Sequence, residues 1–223
     1  MSEQPQDRGI TAEHPGVAAL FAVLAYGELA AFERLAKEAE MAPDLHGRIA
    51  VSSMAAVQMN NFALLRTELD RRGLDIAAAT APFAPVISRY HERTTPRNWN
   101  ESLVKAYIGD GLAADFYSEI ARALPGEPAT IVAAVLSDTR ESDFVVERIR
   151  AAVGANPALR SPLTLWGRRL LSEAITQAQE VLATRDELAA LLFEHSGDLP
   201  GVAQFFESLQ TRHAERMAAL RLG

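Results

Sequence analysis

Cysteine is absent from the 223 residues, which excludes disulfides, thiolate zinc sites, iron–sulfur ligation and cysteine nucleophiles. Aromatic residues are scarce at 7%, and the abundance of Ala, Leu and Glu favours helix over sheet. Positive charge is outweighed: Lys and Arg number 22 against 29 Asp and Glu, for a net charge of −7 and a pI near 5.3. That balance opposes general polyanion binding, although it leaves room for a local basic patch. We find no apolar run of membrane-span length. The N-terminus, MSEQPQDRGITAEHPG, lacks the apolar core of a signal peptide. The sequence therefore predicts a cytoplasmic protein with no membrane partner. Glycine-rich phosphate loops, nucleophile elbows and zinc motifs are missing as well. What is present is a hydrophobic content of 48%, enough for one domain with a full core.

Periodicity predicts an all-α fold. Residues 1–14 read as a flexible tail and 15–223 as one helical domain. A first helix spans about 15–41, with Val17, Leu20, Phe21, Leu24, Ala31 and Leu35 at helical spacing. Pro43 ends it, and Asp44 caps a second helix that runs to about Arg72, before the stop at Gly73. Residues 73–98 form a long connection in which Pro82 and Pro85 interrupt regular helix. A long crossover is the mark of ferritin-like bundles, whereas up-down-up-down bundles have short loops throughout. A third helix is expected over 99–124 and a fourth over about 128–153. A fifth, over 162–193, is apolar around much of its circumference. Asp198 is placed to cap a sixth helix that carries Val202, Phe205, Phe206, Leu209 and Met217. The whole reads as a four-helix bundle with a long crossover plus additional C-terminal helices.

Each of the first four apolar stripes is broken at mid-height by carboxylates or amides. These are Glu28, then Gln58 with Asn61, then Asp110, then Asp138 with Glu141. The two halves match: one acid, then a pair spaced i, i+3 about thirty residues on. Polar groups at matching depth in a core must be hydrogen-bonded, paired or metal-bound. One Glu from each of two helices plus Glu-x-x-His from the other two is the layout of di-iron carboxylate bundles. No histidine remains in it here. Four carboxylates cannot all stay ionised in a dry core without a cation. A metal neutralises them, or some hold protons, or a nearby Arg or Lys turns inward. An all-oxygen set suits a single hard divalent metal, Mn or Mg, rather than iron.

The segments AYGELAAFERLAKEAEMAPDL, KAYIGDGLAADFYSEIARAL and LWGRRLLSEAITQAQ, with the ending RHAERMAALRLG, resemble an actinobacterial ferritin-like family related to the MiaE-type tRNA hydroxylases. The likeness runs from about residue 15 to the end, and the WGRRL…EA.TQAQ stretch is its most specific part. It implies a di-iron site and oxygen-dependent hydroxylation of a modified adenosine in tRNA. Under it, Glu28 stands at the first-helix glutamate and Asp110 at the acidic position of the third helix. Gln58 and Asn61 replace a Glu-x-x-His pair. Asp138 matches the first member of an acid-x-x-His pair, with Glu141 in place of its histidine. Glu28, Asp110, Asp138 and Glu141 are thus the metal candidates, Gln58 and Asn61 are degenerate positions, and Glu173 and Gln177 are their supporting partners. No catalytic residue is assigned.

The other polar residues carry less. His14, His46, His91 and His195 fall at predicted ends or loops and read as surface groups, while His213 is a candidate for burial. Arg168 and Arg169 are candidates to neutralise buried acids. Arg89, Arg93 and Arg97, with Tyr90 and Trp99 nearby, form a small basic cluster able to meet a phosphate. The alternative to a metal-site protein is a non-enzymatic interaction or scaffold protein, homodimeric, in which the acids are structural. Iron storage ranks below both, because no intact ferroxidase set is present.

Overall fold

The computed structural model describes residues 10–136, 142–196 and 199–223. Residues 1–9 of the tail expected over 1–14, the metal candidates Asp138 and Glu141, the cap Asp198 and the side chain of His195 lie outside the described residues. Among the described residues the structure is entirely helical.

Helix α1 (Pro15–Glu38) starts where His14 accepts a hydrogen bond from the Gly16 amide, and a 3₁₀ turn over Ala39–Met41 extends it. Asp44 caps α2 (Leu45–Arg71) by accepting from the Gly47 amide at 2.7 Å. That helix stops at Gly73, whose φ of +70° is left-handed backbone that costs glycine little. There the Leu74 amide reaches back to the Leu69 carbonyl at 3.1 Å, which satisfies an orphan carbonyl of the last turn. Asn98 opens α5 (Trp99–Ala121) in the same manner as Asp44. Helix α1 pairs with α2, and α5 lies at the centre against α1, α8 and α10.

The structure corrects three expectations. The crossover is not irregular: it holds α3 (Ile76–Thr80), a 3₁₀ turn (Ala81–Phe83) and α4 (Ala84–Arg93). Pro82 and Pro85 sit in the first turns of the latter two, where a missing N–H costs nothing. The expected fourth helix is described in two stretches, α6 (Gly126–Leu136) and α7 (Ser142–Ala155). The fifth divides into α8 (Arg160–Thr184) and α9 (Asp186–Ser196), separated by Arg185 with the non-helical angles φ −134° and ψ 86°. The last helix, α10, is Leu199–Ala219. Finally, the stretch Pro15–Met41 is long and apolar enough to cross a membrane, with a mean hydropathy of 1.6. It is also a core helix, 56% of that window being buried.

The core consists of two apolar clusters. Val17, Leu20, Phe21, Leu65, Leu69, Phe116 and Val132 belong to one, and Leu35, Val51, Leu103, Ile108, Val145 and Trp166 to the other. On α1 the first cluster ends at Ala25 and the second begins at Leu35. On α2 the second cluster reaches Ala55 and the first resumes at Leu65. Glu28, Gln58 and Asn61 fall in those gaps. The polar residues occupy a seam between two dry cores.

Candidate functional site

A cavity of about 280 Å³ lies in the seam, and Glu28, Gln58, Asp110 and Gln177 all line it. Helices α1, α2, α5 and α8 therefore bring four of the sequence candidates to one space. Asn61 stands beside it, its amide donating to Glu28 Oε2 at 3.4 Å and to the Val135 carbonyl at 3.1 Å. Glu173 does not line the cavity. It accepts a hydrogen bond from Arg93 at 3.3 Å, an ion pair at the protein surface.

The acids of this seam are balanced by the protein itself. Arg34 of α1 is 9% exposed, and its Nη2 donates to both oxygens of Asp110 at 2.9 Å. Its Nη1 donates to Glu38 at 3.1 Å, and Glu38 also accepts from the Ser102 hydroxyl at 2.9 Å. Burial works against a charged Arg34, but Asp110 and Glu38 outweigh it and raise its pKa. Burial likewise raises the Asp110 carboxyl, and Arg34 pulls it back. We read the pair as ionised, because both carboxylate oxygens are held by the guanidinium. The Asp110 side chain keeps 37% of its surface accessible, consistent with its place on the cavity wall.

A second buried cation completes the network. Lys105 is 2% exposed, donates to the Thr94 carbonyl at 2.8 Å and lies over the Tyr90 ring at 5.6 Å. Burial first, then Arg34, lowers its pKa to about 7, against the opposing pull of Glu38 and Asp110.

Glu28 differs from these. The buried acids Glu38, Glu68, Glu101 and Glu119 each have an arginine partner, and Glu28 is paired with no cation among the described residues. Burial raises its pKa to about 8; Asn61 lowers it and Asp110 adds to the rise. Glu28 therefore holds its proton at neutral pH.

The crossover supplies two cavity residues that the sequence reading placed elsewhere. His91, read as a surface group, lies on α4, lines the cavity and has a buried Nδ1 with no hydrogen-bond partner. Burial, then Lys105 and Arg34, pushes its pKa far down, so the ring is neutral. Tyr90 packs against Gly109 so closely that a Cβ there would come within 2.7 Å of its hydroxyl. The basic cluster beside them is paired off: Arg89 with Glu180, Arg93 with Glu173 and Arg97 with Glu101. Arg168 and Arg169 are exposed, and Arg169 donates to the Arg93 carbonyl. Neither pairs with a buried acid. His213 is buried, at 5% exposure.

The described groups, without Asp138 and Glu141, do not by themselves form a metal site. Both oxygens of Asp110 are engaged by Arg34, the residue beside Glu28 offers an N–H, and the imidazole of His91 is not joined by carboxylates. Among the described residues no group of three or more His, Cys, Asp or Glu is placed to hold a metal ion. Arg34 was missed because ERLAKE reads as an exposed polar edge. The signal was its spacing, three residues after Ala31, which keeps it on the buried stripe.

Comparison with known proteins agrees with this architecture. No curated protein matches the chain significantly. A family pattern described as a ferritin-like domain of actinomycetes matches residues 12–195, the helices that build the seam included, and the chain belongs to that family.

Proposed function

We propose that this chain is a ferritin-like protein in which a guanidinium has taken over the charge-neutralising role of a bundle metal, so that the core serves binding and not iron–oxygen chemistry. The observation that carries this is the contact of Arg34 Nη2 with both oxygens of Asp110 at 2.9 Å. Arg34 and, in its protonated form, Lys105 offset Asp110 and Glu38 without a metal. The resemblance to MiaE-type tRNA hydroxylases accounts for the layout as ancestry, and the amides at Gln58 and Asn61 separate this chain from hydroxylation of tRNA. The test is metal analysis of protein purified anaerobically without chelator, with thermal melts in added iron(II) or manganese. Substoichiometric metal and an unmoved Tm are expected. Stoichiometric iron, or a manganese-induced rise in Tm that Asp110→Asn abolishes, would overturn the reading. Iron affinity should appear only when Arg34→Met accompanies Gln58→Glu, Asn61→His and Glu141→His.

A second reading, a homodimeric scaffold, is favoured by α2. Residues 49–65 contain no Asp, Glu, Lys or Arg, yet Ser52, Ser53, Ala56 and Asn60 are exposed, and Leu45 and Ile49 are 70% and 56% exposed. On an acidic protein, a face without charge is where two copies meet with least repulsion. Light scattering of the native chain should give a dimer, and Ile49→Arg with Ala56→Arg a monomer. A monomeric native chain would remove this reading.

A further inference from the structure

The cavity wall divides its polar groups into two kinds. Its charged groups are paired: Asp110 is held by Arg34, and Arg216 is held by Asp115 at 2.6 Å. Glu28 has no cation beside it, and a carboxyl in that position keeps its proton. The uncharged groups are the opposite case. The amides of Gln58 and Gln177 and the hydroxyls of Tyr90 and Tyr117 have no hydrogen-bond partner among the described residues, and neither has His91 Nδ1. The Tyr90 hydroxyl and His91 Nδ1 are fully buried, while Gln58 and Gln177 are half-buried on the cavity wall. Buried polar groups left unpaired are costly. Their convergence on one space of about 280 Å³, close to the lower range of ligand pockets, marks a site that something else completes.

The rest of the wall is apolar: Leu24, Met54, Ile87, Phe116, Leu171 and Ile175. We propose that the cavity binds an uncharged amphiphile, an apolar body carrying a hydroxyl or carboxamide head that meets Gln58, Gln177, Tyr90 and Tyr117. A charged head is disfavoured, because it would lose its hydration and find every counter-charge already taken. The inference rests on the reading of a core neutralised without metal, since a free metal would select a carboxylate instead.

The experiment compares n-octanol, octanoate and n-octylammonium by calorimetry and thermal shift on the full native chain, with metal content measured on the same sample. The three probes share one tail and differ only in the charge of the head. In metal-free protein n-octanol should bind about tenfold or more tightly than either charged analogue. Gln177→Leu and Tyr117→Phe should each weaken it several-fold, and Ala174→Phe, which fills the cavity, should abolish it. Metal-free protein that binds no n-octanol, or that binds octanoate or n-octylammonium as tightly, overturns the proposal. So does undiminished n-octanol binding by Gln177→Leu and Tyr117→Phe together. Metal in the sample overturns the functional reading instead, and preferred binding of octanoate would then accompany it. The three-probe comparison stands on the native protein even where a variant does not fold.

Discussion

The two acids of the seam, Glu28 on α1 and Asp110 on α5, line the same cavity and are treated in opposite ways. Asp110 has a guanidinium on both oxygens and is ionised; Glu28 has an amide at 3.4 Å and holds its proton. Burial raises the pKa of both, so depth alone does not separate them. The separation comes from one residue, Arg34, whose side chain reaches α5 and leaves the Glu28 side without a cation. A buried carboxyl is thus given its charge by its neighbours and not by its helix position.

Removing that neighbour is the most severe way to break the contrast. Arg34→Met leaves only Lys105 to offset Asp110 and Glu38, and breaking the buried Arg34–Glu38 pair from one side costs about 3–5 kcal/mol. Urea unfolding at pH 7.5 measures this, and adding Asp110→Asn should recover part of the loss. Full stability in Arg34→Met would mean that the ion pair does not balance the seam.

The Glu28 side yields a pH signature. Its folded pKa of about 8 lies above the ordinary 4.5, so the folded state holds the extra proton. Stability is fully present below about pH 4.5 and falls as pH rises through 8. Lys105 has the opposite sign: its pKa is lowered from 10.5 to about 7, and stability falls as pH drops through that window. Comparing Glu28→Gln with the native chain isolates the carboxyl. The variant should gain up to about 5 kcal/mol near pH 8.5 and almost nothing near pH 4.5. A gain independent of pH would show that Glu28 is ionised throughout.

An ion pair outside the seam sharpens the contrast by its weakness. Arg89 and Glu180 meet at 2.6 Å, but their side chains are 43% and 35% exposed, and exposed pairs contribute about 0–1 kcal/mol. Arg89→Ala should shift the urea midpoint hardly at all. A loss near that of Arg34→Met would place Arg89 in the seam's network.

The bundle was legible because its signals are local. The 3.6-residue stripes on α1, α2 and α5 survive in the structure nearly to the residue, and so does the cap at Asp44. The crossover departs from the expectation because Pro82 and Pro85 sit in first turns, where proline starts a helix as readily as it ends one elsewhere. That single departure hid Tyr90 and His91 from the site. The split between α8 and α9 was hidden for a different reason: LATRDELAAL keeps apolar spacing across the break at Arg185.

The sequence by itself determined that the chain is helical, that Glu28, Gln58, Asn61 and Asp110 interrupt the stripes at one depth, and that no histidine shares those stripes. All three follow from periodicity, which is fixed by neighbours along the chain. Only the tertiary structure decided what those residues do to one another. Arg34 and Asp110 lie 76 residues apart, and nothing local in either helix indicates that a guanidinium meets that carboxylate and not Glu28. Charge state, cavity and unpaired hydroxyls arise from distances across the bundle, and electrostatic energy depends on those distances and on the burial between them.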